Sequence, residues 1–247
     1  LTNNSGTSYP DANLKMVAGD VNRVKTPRIM WRREEQSYAS AIRKSEPQFE
    51  EREFFDYHIY DLQRQTTLAN NETKQISLFE TSDIKIKKKY RYLSSGYTKN
   101  GKVDVIVEFD NKKDNNLGMP LPAGKVRVYK KDAKSLEFVG EDMIGHTPKD
   151  EKLKLKMGQA FDIVVEEIQL DSRRVVDNTW DKDFKVILKN RKSEDIEIDV
   201  QRNIWQDWEI LNSSIEYKKK DANSLLFVVK VKAGQVFEFT YSLRTGN

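Results

Sequence analysis

Ile84-Lys85-Ile86-Lys87-Lys88-Lys89-Tyr90-Arg91-Tyr92 and, a little further on, Val103-Asp104-Val105-Ile106-Val107-Glu108-Phe109-Asp110 decide the fold. In the first stretch Ile84, Ile86, Tyr90 and Tyr92 alternate with Lys85, Lys87, Lys89 and Arg91. In the second, Val103, Val105, Val107 and Phe109 alternate with Asp104, Ile106, Glu108 and Asp110. Successive side chains of a strand point to opposite faces, so a period of two marks a sheet with one face buried and the other wet. The pattern continues with few breaks over residues 84–243. It predicts an all-β chain built as an antiparallel β-sandwich. Two β-domains are expected, the C-terminal one an immunoglobulin-like sandwich.

Asn100-Gly101 lies between the two stretches and is a strong two-residue hairpin signal. A turn there sets Tyr92 against Phe109, Ser94 against Val107 and Arg91 against Asp110. Apolar then meets apolar, and cation meets anion. The basic stripe Lys85, Lys87, Lys89 and Arg91 reads on that basis as the solvated face of a sheet rather than a track for phosphates.

Working outward, residues 1–13 read as a flexible lead and 14–21 as a first strand. Residues 31–53 form an irregular excursion rich in Arg, Glu, Gln and Ser and interrupted by Pro47. Residues 54–62 resume a strand, and 75–79 make a short one. Later strands are expected at 152–157 and 161–170. A hairpin of 184–190 and 196–204 would turn at Arg191-Lys192-Ser193-Glu194, and a meander would run through 208–217, 225–232 and 235–243. The domain boundary is expected at Gly158-Gln159, giving β-domains 14–158 and 159–247. The form K-D-A-x-S-L-x-F-V occurs at 131–139 and again at 220–228. It suits a hairpin turn. Related tandem domains and convergent turns both explain it, and the poorly matching flanks favour convergence.

Composition narrows the function. Of 247 residues, 37% are hydrophobic and 33% charged, so a sizeable core must sit under a strongly charged surface. The net charge of +4 comes from well-mixed 43 basic and 39 acidic residues, which predicts no nucleic-acid partner. No apolar run approaches the roughly 18 residues of a membrane span. The absence of cysteine removes thiol catalysis, disulfides and Cys-ligated zinc, and leaves the compartment open. The polar, small residues behind Leu1 read either as a spacer following a removed signal or lipid anchor, or as a boundary within a longer protein. The two readings are compatible.

Candidate chemistry is sparse. On a strand, Asp56, His58 and Tyr60 share one face, a set able to bind a ligand or transfer protons. One histidine without cysteine would need carboxylates from other strands to hold a metal, so no metal site and no cofactor are predicted. His146 sits in the turn Gly145-His146-Thr147-Pro148, close in sequence to Glu141 and Asp142. The oxygen-rich Asp110-Asn111-Lys112-Lys113-Asp114-Asn115-Asn116 is interrupted by lysines and lacks the glycine and final glutamate of a calcium loop. Trp205-Gln206-Asp207-Trp208, with Trp180-Asp181, reads as a sugar-stacking platform or as core packing. There is no G-x-S-x-G elbow, P-loop, dinucleotide fingerprint or H-E-x-x-H, and no catalytic residue is nominated.

Three blocks carry a resemblance. Leu14-Lys15-Met16-Val17-Ala18-Gly19-Asp20-Val21-Asn22-Arg23 resembles the opening of the bacterial domain-of-unknown-function family 4139. So do Met119-Pro120-Leu121-Pro122-Ala123-Gly124-Lys125-Val126-Arg127-Val128-Tyr129 and Phe138-Val139-Gly140-Glu141-Asp142-Met143-Ile144-Gly145-His146-Thr147-Pro148. The resemblance runs over roughly residues 9–245, and the family is similar to the C-terminal half of mucoidy-inhibitor-like proteins. It implies an all-β fold and an extracytoplasmic location in a bacterium, periplasm or cell surface, and carries over no catalytic residue. The expectation is therefore a non-catalytic binding or envelope module with a protein or glycan partner. Its candidate binding residues are His58, Asp56, Tyr60, His146, Trp205 and Trp208. The alternative is a hydrolase of glycan or peptide centred on His58 or His146.

Overall fold

A computed structural model describes residues 1–19, 49–54, 57–133 and 135–246. Among the described residues there are strands, one 3-10 turn at Lys113–Asn115, and no α-helix. The all-β class read from the period-two pattern is what forms. The chain divides into two compact units, one made of Leu1–Ile84, Asp110–Gly124 and Ile144–Glu151, the other of Lys85–Phe109, Lys125–Met143 and Lys152–Asn247. The expected boundary at Gly158-Gln159 falls inside a strand of the second unit.

The first unit holds β1 (Tyr9–Ala12), β2 (Lys15–Ala18), β3 (Phe49–Phe54), β4 (Tyr57–Leu62) and β5 (Thr66–Leu68), paired as β2-β4-β3 and β1-β5. Residues 1–13 are not the flexible lead their composition suggests. Asn3 is buried, and its amide donates to the carbonyls of Thr7, Leu68 and Ala69 at 2.7, 3.2 and 2.9 Å. Backbone bonds from Asn3 to Glu72 and from Lys74 to Leu1 add to this stitch. A short polar side chain can tie down a segment that has almost no apolar residues to bury. Of the excursion at 31–53, residues 49–53 belong to β3, and the part up to residue 48 lies outside the described residues. The expected strand 54–62 is two strands, with Phe54 and Tyr57 as register partners. Residues 75–79 form no strand.

The second unit contains β6 (Lys87–Ser94), β7 (Thr98–Gly101), β8 (Val103–Asp110), β9 (Gly124–Lys131), β10 (Leu136–Ile144), β11 (Lys152–Gln159), β12 (Ile163–Val176), β13 (Thr179–Asn190), β14 (Ile196–Asn203), β15 (Asp207–Ser213), β16 (Lys218–Asp221), β17 (Ser224–Val231) and β18 (Val236–Gly246). One sheet has the order β11-β8-β6-β14-β17-β16, a second β15-β18-β13-β12-β7, and β9-β10 stand as a separate pair. The inward residues of the first two sheets form a single core. Tyr92, Ile198, Val200, Leu225 and Phe227 from one side meet Val165, Phe184, Val186, Phe239 and Tyr241 from the other. The rings of Phe227 and Phe239 lie 4.9 Å apart across it. This is a sandwich.

It is not an immunoglobulin sandwich. That arrangement places the first, second, fourth and fifth strands in one sheet and the third, sixth and seventh in the other. Counting β12–β18 as those seven strands, β16 and β18 have exchanged sheets. Moreover β6 inserts beside β14 in parallel, with Tyr90 opposite Ile198 and Tyr92 opposite Val200, so the sheet is mixed. The hairpin expected at 191–194 is instead a crossing from one sheet to the other, because β13 and β14 belong to different sheets. The buried Asn190 amide fastens this crossing by donating to Glu194, Val231 and Lys232 carbonyls, while its oxygen accepts from the Lys192 N–H. The final meander is likewise divided, since β17 and β18 lie in opposite sheets.

Asn100-Gly101 does not turn β6 into β8. Tyr92 pairs with Val103 and Arg91 with Asp104, and β7 crosses to β12, where Gly101 faces Val165. The glycine serves a contact instead: a Cβ there would sit 2.6 Å from Cε2 of Tyr92. The basic stripe is nonetheless an outer sheet face. Asp104 lies between Arg91 at 3.5 Å and Lys156 at 2.7 Å, and Glu108 between Lys89 at 2.9 Å and Lys154 at 3.7 Å. Burial pushes the Glu108 carboxyl up, but Lys89, with the charges of Lys154 and Lys152, outweighs this and holds it low. The other sheet repeats the device. Arg244 grips Asp181 through two bonds of 2.7 and 2.9 Å, with Arg173 3.9 Å away, and the Arg244 hydrogen bond holds that carboxyl below its usual range.

Glu167 is fully buried. It accepts from the hydroxyls of Ser94 (2.6 Å), Tyr92 (3.0 Å) and Tyr241 (3.3 Å) and from the backbone N–H groups of Gly96 (3.0 Å) and Ser95 (3.2 Å). Arg202 supplies the countercharge at 3.5 Å and donates to the Tyr241 hydroxyl at 2.7 Å. Through Ser94, Ser95 and Gly96 this carboxylate ties the chain after β6 to β12, where the predicted hairpin would have turned back. Burial, opposed by the Arg202 charge and aided by that of Glu167, pushes the Tyr241 phenol up to about 12. A phenol that keeps its proton in the folded state and loses it near pH 10 when unfolded contributes stability below pH 10 that is lost as pH rises toward 12. Tyr241 alone should account for up to about 3 kcal/mol of that loss. Urea unfolding at pH 9, 10 and 11 checks it, and the pH slope should diminish in Tyr241→Phe.

Candidate binding site

The second unit opens at one end of its sandwich. Strand β14 ends at Asn203, and the chain crosses from one sheet to the other before β15 begins at Asp207. Two anchors hold this crossing. Ile204 is buried in the core, and its N–H bonds the Asn223 carbonyl at 2.7 Å. Trp208 packs against the core, and its indole N–H donates to the Ala222 carbonyl at 2.7 Å. Between the anchors Trp205 is 82% exposed. An indole displayed this openly on a crossing fixed at both ends contributes little to folding and is free to stack on a ligand.

The neighbouring strands complete the mouth. On β18, Thr245 is the register partner of both Trp180 on β13 and Trp208 on β15. Strands lie about 4.8 Å apart, so these two tryptophans flank Thr245 at about twice that spacing. Three of the four tryptophans in the sequence therefore gather at this end. Lys182, Arg202 and Asn203 line the hollow beneath Trp205, together with Leu243 and Thr245. A second hollow, also bordered by Trp205, is lined by Gln206, Asp207, Trp208, Lys219 and Asn223. The Lys219 ammonium lies 4.5 Å from the Trp208 ring centre, a cation–π contact.

The other candidates belong to the first unit. His58 Nδ1 is 2.7 Å from Glu51 Oε1 across β3 and β4. Tyr60 is buried and donates to the Pro120 carbonyl at 2.5 Å, and burial with the nearby Glu51 charge pushes its phenol up to about 12. It packs in the fold rather than sharing a ligand-facing surface with His58. Asp56 lies outside the described residues. His146 is exposed, and its Nδ1 accepts the Ala123 N–H at 3.1 Å, which puts the proton of the neutral ring on Nε2. Leu121 and Thr147 exchange two backbone bonds of 2.8 Å beside it. The proline-rich and His-Thr-Pro blocks of the family resemblance thus clamp one another. No hydrogen bond or ion pair among the described residues joins His58 to His146.

The remaining nominees are also engaged. Glu141 lies between Lys125 and Arg127 at 2.9 and 3.1 Å, which hold its carboxyl low. Asp142 accepts from the Met143 and Lys156 N–H groups. In the Asp110–Asn116 loop, the buried Asn111 amide donates to the Met119 and Pro148 carbonyls and its oxygen accepts from Gly118. These bonds make it a structural clasp. Among the described residues no group of three or more His, Asp or Glu is placed to hold a metal. The sequence pointed to Trp205 and Trp208 but not to Lys182 and Arg202. Lys182 shares parity with the core residues Phe184, Val186 and Leu188, and a strand started at Thr179 would have placed it on the inward face.

No protein-family model matches the chain. No curated protein matches it either. Among solved structures it is similar to the folded domain of Mycobacterium tuberculosis LppM, solved by NMR, at 10% identity. That similarity covers 70% of this chain and 97% of that one, with a TM-score of 0.22.

Proposed function

We propose that this protein is a non-catalytic binding module of the bacterial cell envelope, and that it holds a glycan against the tryptophan mouth of its sandwich. The observation that carries the reading is Trp205, 82% exposed between two fixed anchors and shared by two polar hollows. A pyranose ring presents an apolar face to an indole and hydroxyls at its rim. Gln206, Asn203 and Asn223 line the two hollows as amide partners for such hydroxyls. The envelope location and membership of family 4139 are parts of the same proposal, supported by the sequence blocks that clamp together around Pro120 and Thr147.

Titration with soluble cell-wall oligosaccharides, followed by tryptophan fluorescence, should give saturable binding. Trp205→Ala should weaken it about tenfold, a loss of roughly 1.4 kcal/mol. The change should leave thermal stability untouched, because the ring contributes little to the core. Unaltered affinity in Trp205→Ala would remove the mouth from consideration.

A further inference from the structure

We infer that the mouth selects glycans that carry carboxylates, uronic-acid sugars above all. This rests on the glycan reading above and names its ligand class. The argument is one of charge placed beside an exposed ring. Several cations on the sheet faces of this unit are met by carboxylates, among them Lys89 by Glu108, Lys156 by Asp104, Lys185 by Glu238 and Arg244 by Asp181. Among the described residues no carboxylate pairs with Lys182 or with Lys219, although both border the hollows beside Trp205. Arg202 also lines the hollow with Lys182, its charge met by the fully buried Glu167. Asp207 is the acidic residue lining these hollows. The two hollows therefore set Lys182 and Lys219 against the one carboxylate of Asp207.

Lys182 is also placed for the task. It follows the inward parity of Phe184, Val186 and Leu188, one step beyond the core. Its register partner is Leu243, and Trp180 stands opposite Thr245 one step further out. An ammonium on an inward-facing position at the rim is partly desolvated, so a ligand anion gains more from it than from a lysine on the open face. A uronic acid places its carboxylate at the edge of the ring whose face stacks on an indole. Stacking on Trp205 and pairing with Lys182 or Lys219 can then be satisfied by one sugar unit.

The test uses galacturonate oligomers and their methyl esters, which have the same ring and no charge. Wild-type protein should bind the acid at least tenfold more tightly than the ester at low salt, and added salt should shrink the difference. Lys182→Gln should reduce that preference to below threefold, with affinity for the acid falling more than affinity for the ester. Equal affinity for acid and ester would overturn the inference and leave the glycan reading intact. Binding of neither would sink the glycan reading itself. Polyglutamate binding as tightly as the uronate, with no effect of Trp205→Ala, would show attraction to any polyanion and would likewise overturn it.

Discussion

Glu167→Ala should destabilise the second unit by about 3–5 kcal/mol, the range for breaking a buried ion pair by removing one partner. The substitution leaves Arg202 without its countercharge in a site where the arginine side chain is 15% exposed. It also strips the acceptor from the hydroxyls of Tyr92 and Ser94 and from two backbone N–H groups. Each orphaned buried donor carries its own desolvation cost. Glu167→Gln should be milder, yet still costly, because its amide nitrogen must face donors at one of the two oxygen positions. Urea unfolding followed by far-UV circular dichroism measures both. A loss under about 1 kcal/mol in Glu167→Ala would show that water replaces the carboxylate and that the site is looser than its geometry.

Phe227→Ala is the second large effect, and its cause is different. Phe227 is 1% exposed and sits at the centre of the aromatic group that joins the sheets, with ring centres 4.9 Å from Phe239 and 5.0 Å from Tyr241. Removing the ring leaves a cavity that two sheets cannot collapse without breaking their ladders. A cost of about 3–5 kcal/mol follows, equivalent to a fall in melting temperature of roughly 10 °C for a unit of this size. Phe227→Leu should recover more than half of the loss. Calorimetry decides the matter, and equal melting temperatures for Phe227→Ala and wild type would mean that the two sheets are not held through this ring.

Alternation was enough to find the strands around Tyr90, Val105, Ile198, Phe227 and Tyr241, because burial of one face imposes parity on each strand separately. It was not enough to find their partners. Parity says which face a residue takes, and many registers satisfy it equally well. The pairing of Arg91 with an aspartate was foreseen, but with Asp110 in place of Asp104, since Asn100-Gly101 carries the local signature of a turn and the deciding contact, Glu167, lies far along the chain. A signal for that contact was present. In Ile163-Val164-Val165-Glu166-Glu167, Glu167 falls on the parity of Ile163 and Val165, so a charge stands on a core face. The candidate site was legible to the extent that two tryptophans cluster in sequence at 205–208. The lysines that give the mouth its charge came from strands whose ends the sequence did not mark. The histidines attracted notice as rare and titratable residues, and the structure gives both of them local partners.

The parallel contact between β6 and β14 has a consequence for how this chain is made. The two strands pair from Tyr90–Ile198 to Ser94–Arg202, roughly a hundred residues apart in sequence. When the ribosome has delivered β6, β8 and β11, the edge of β6 that will meet β14 carries unpaired backbone groups, and the residues that cover its apolar face are still unsynthesised. Half a sandwich of this kind is prone to pair with a neighbouring chain. A nascent chain that cannot close until its last third is complete has to be kept apart from its copies until then. Shielding of the β6 edge during synthesis is therefore expected to affect the yield of folded molecules separately from the stability of the finished protein.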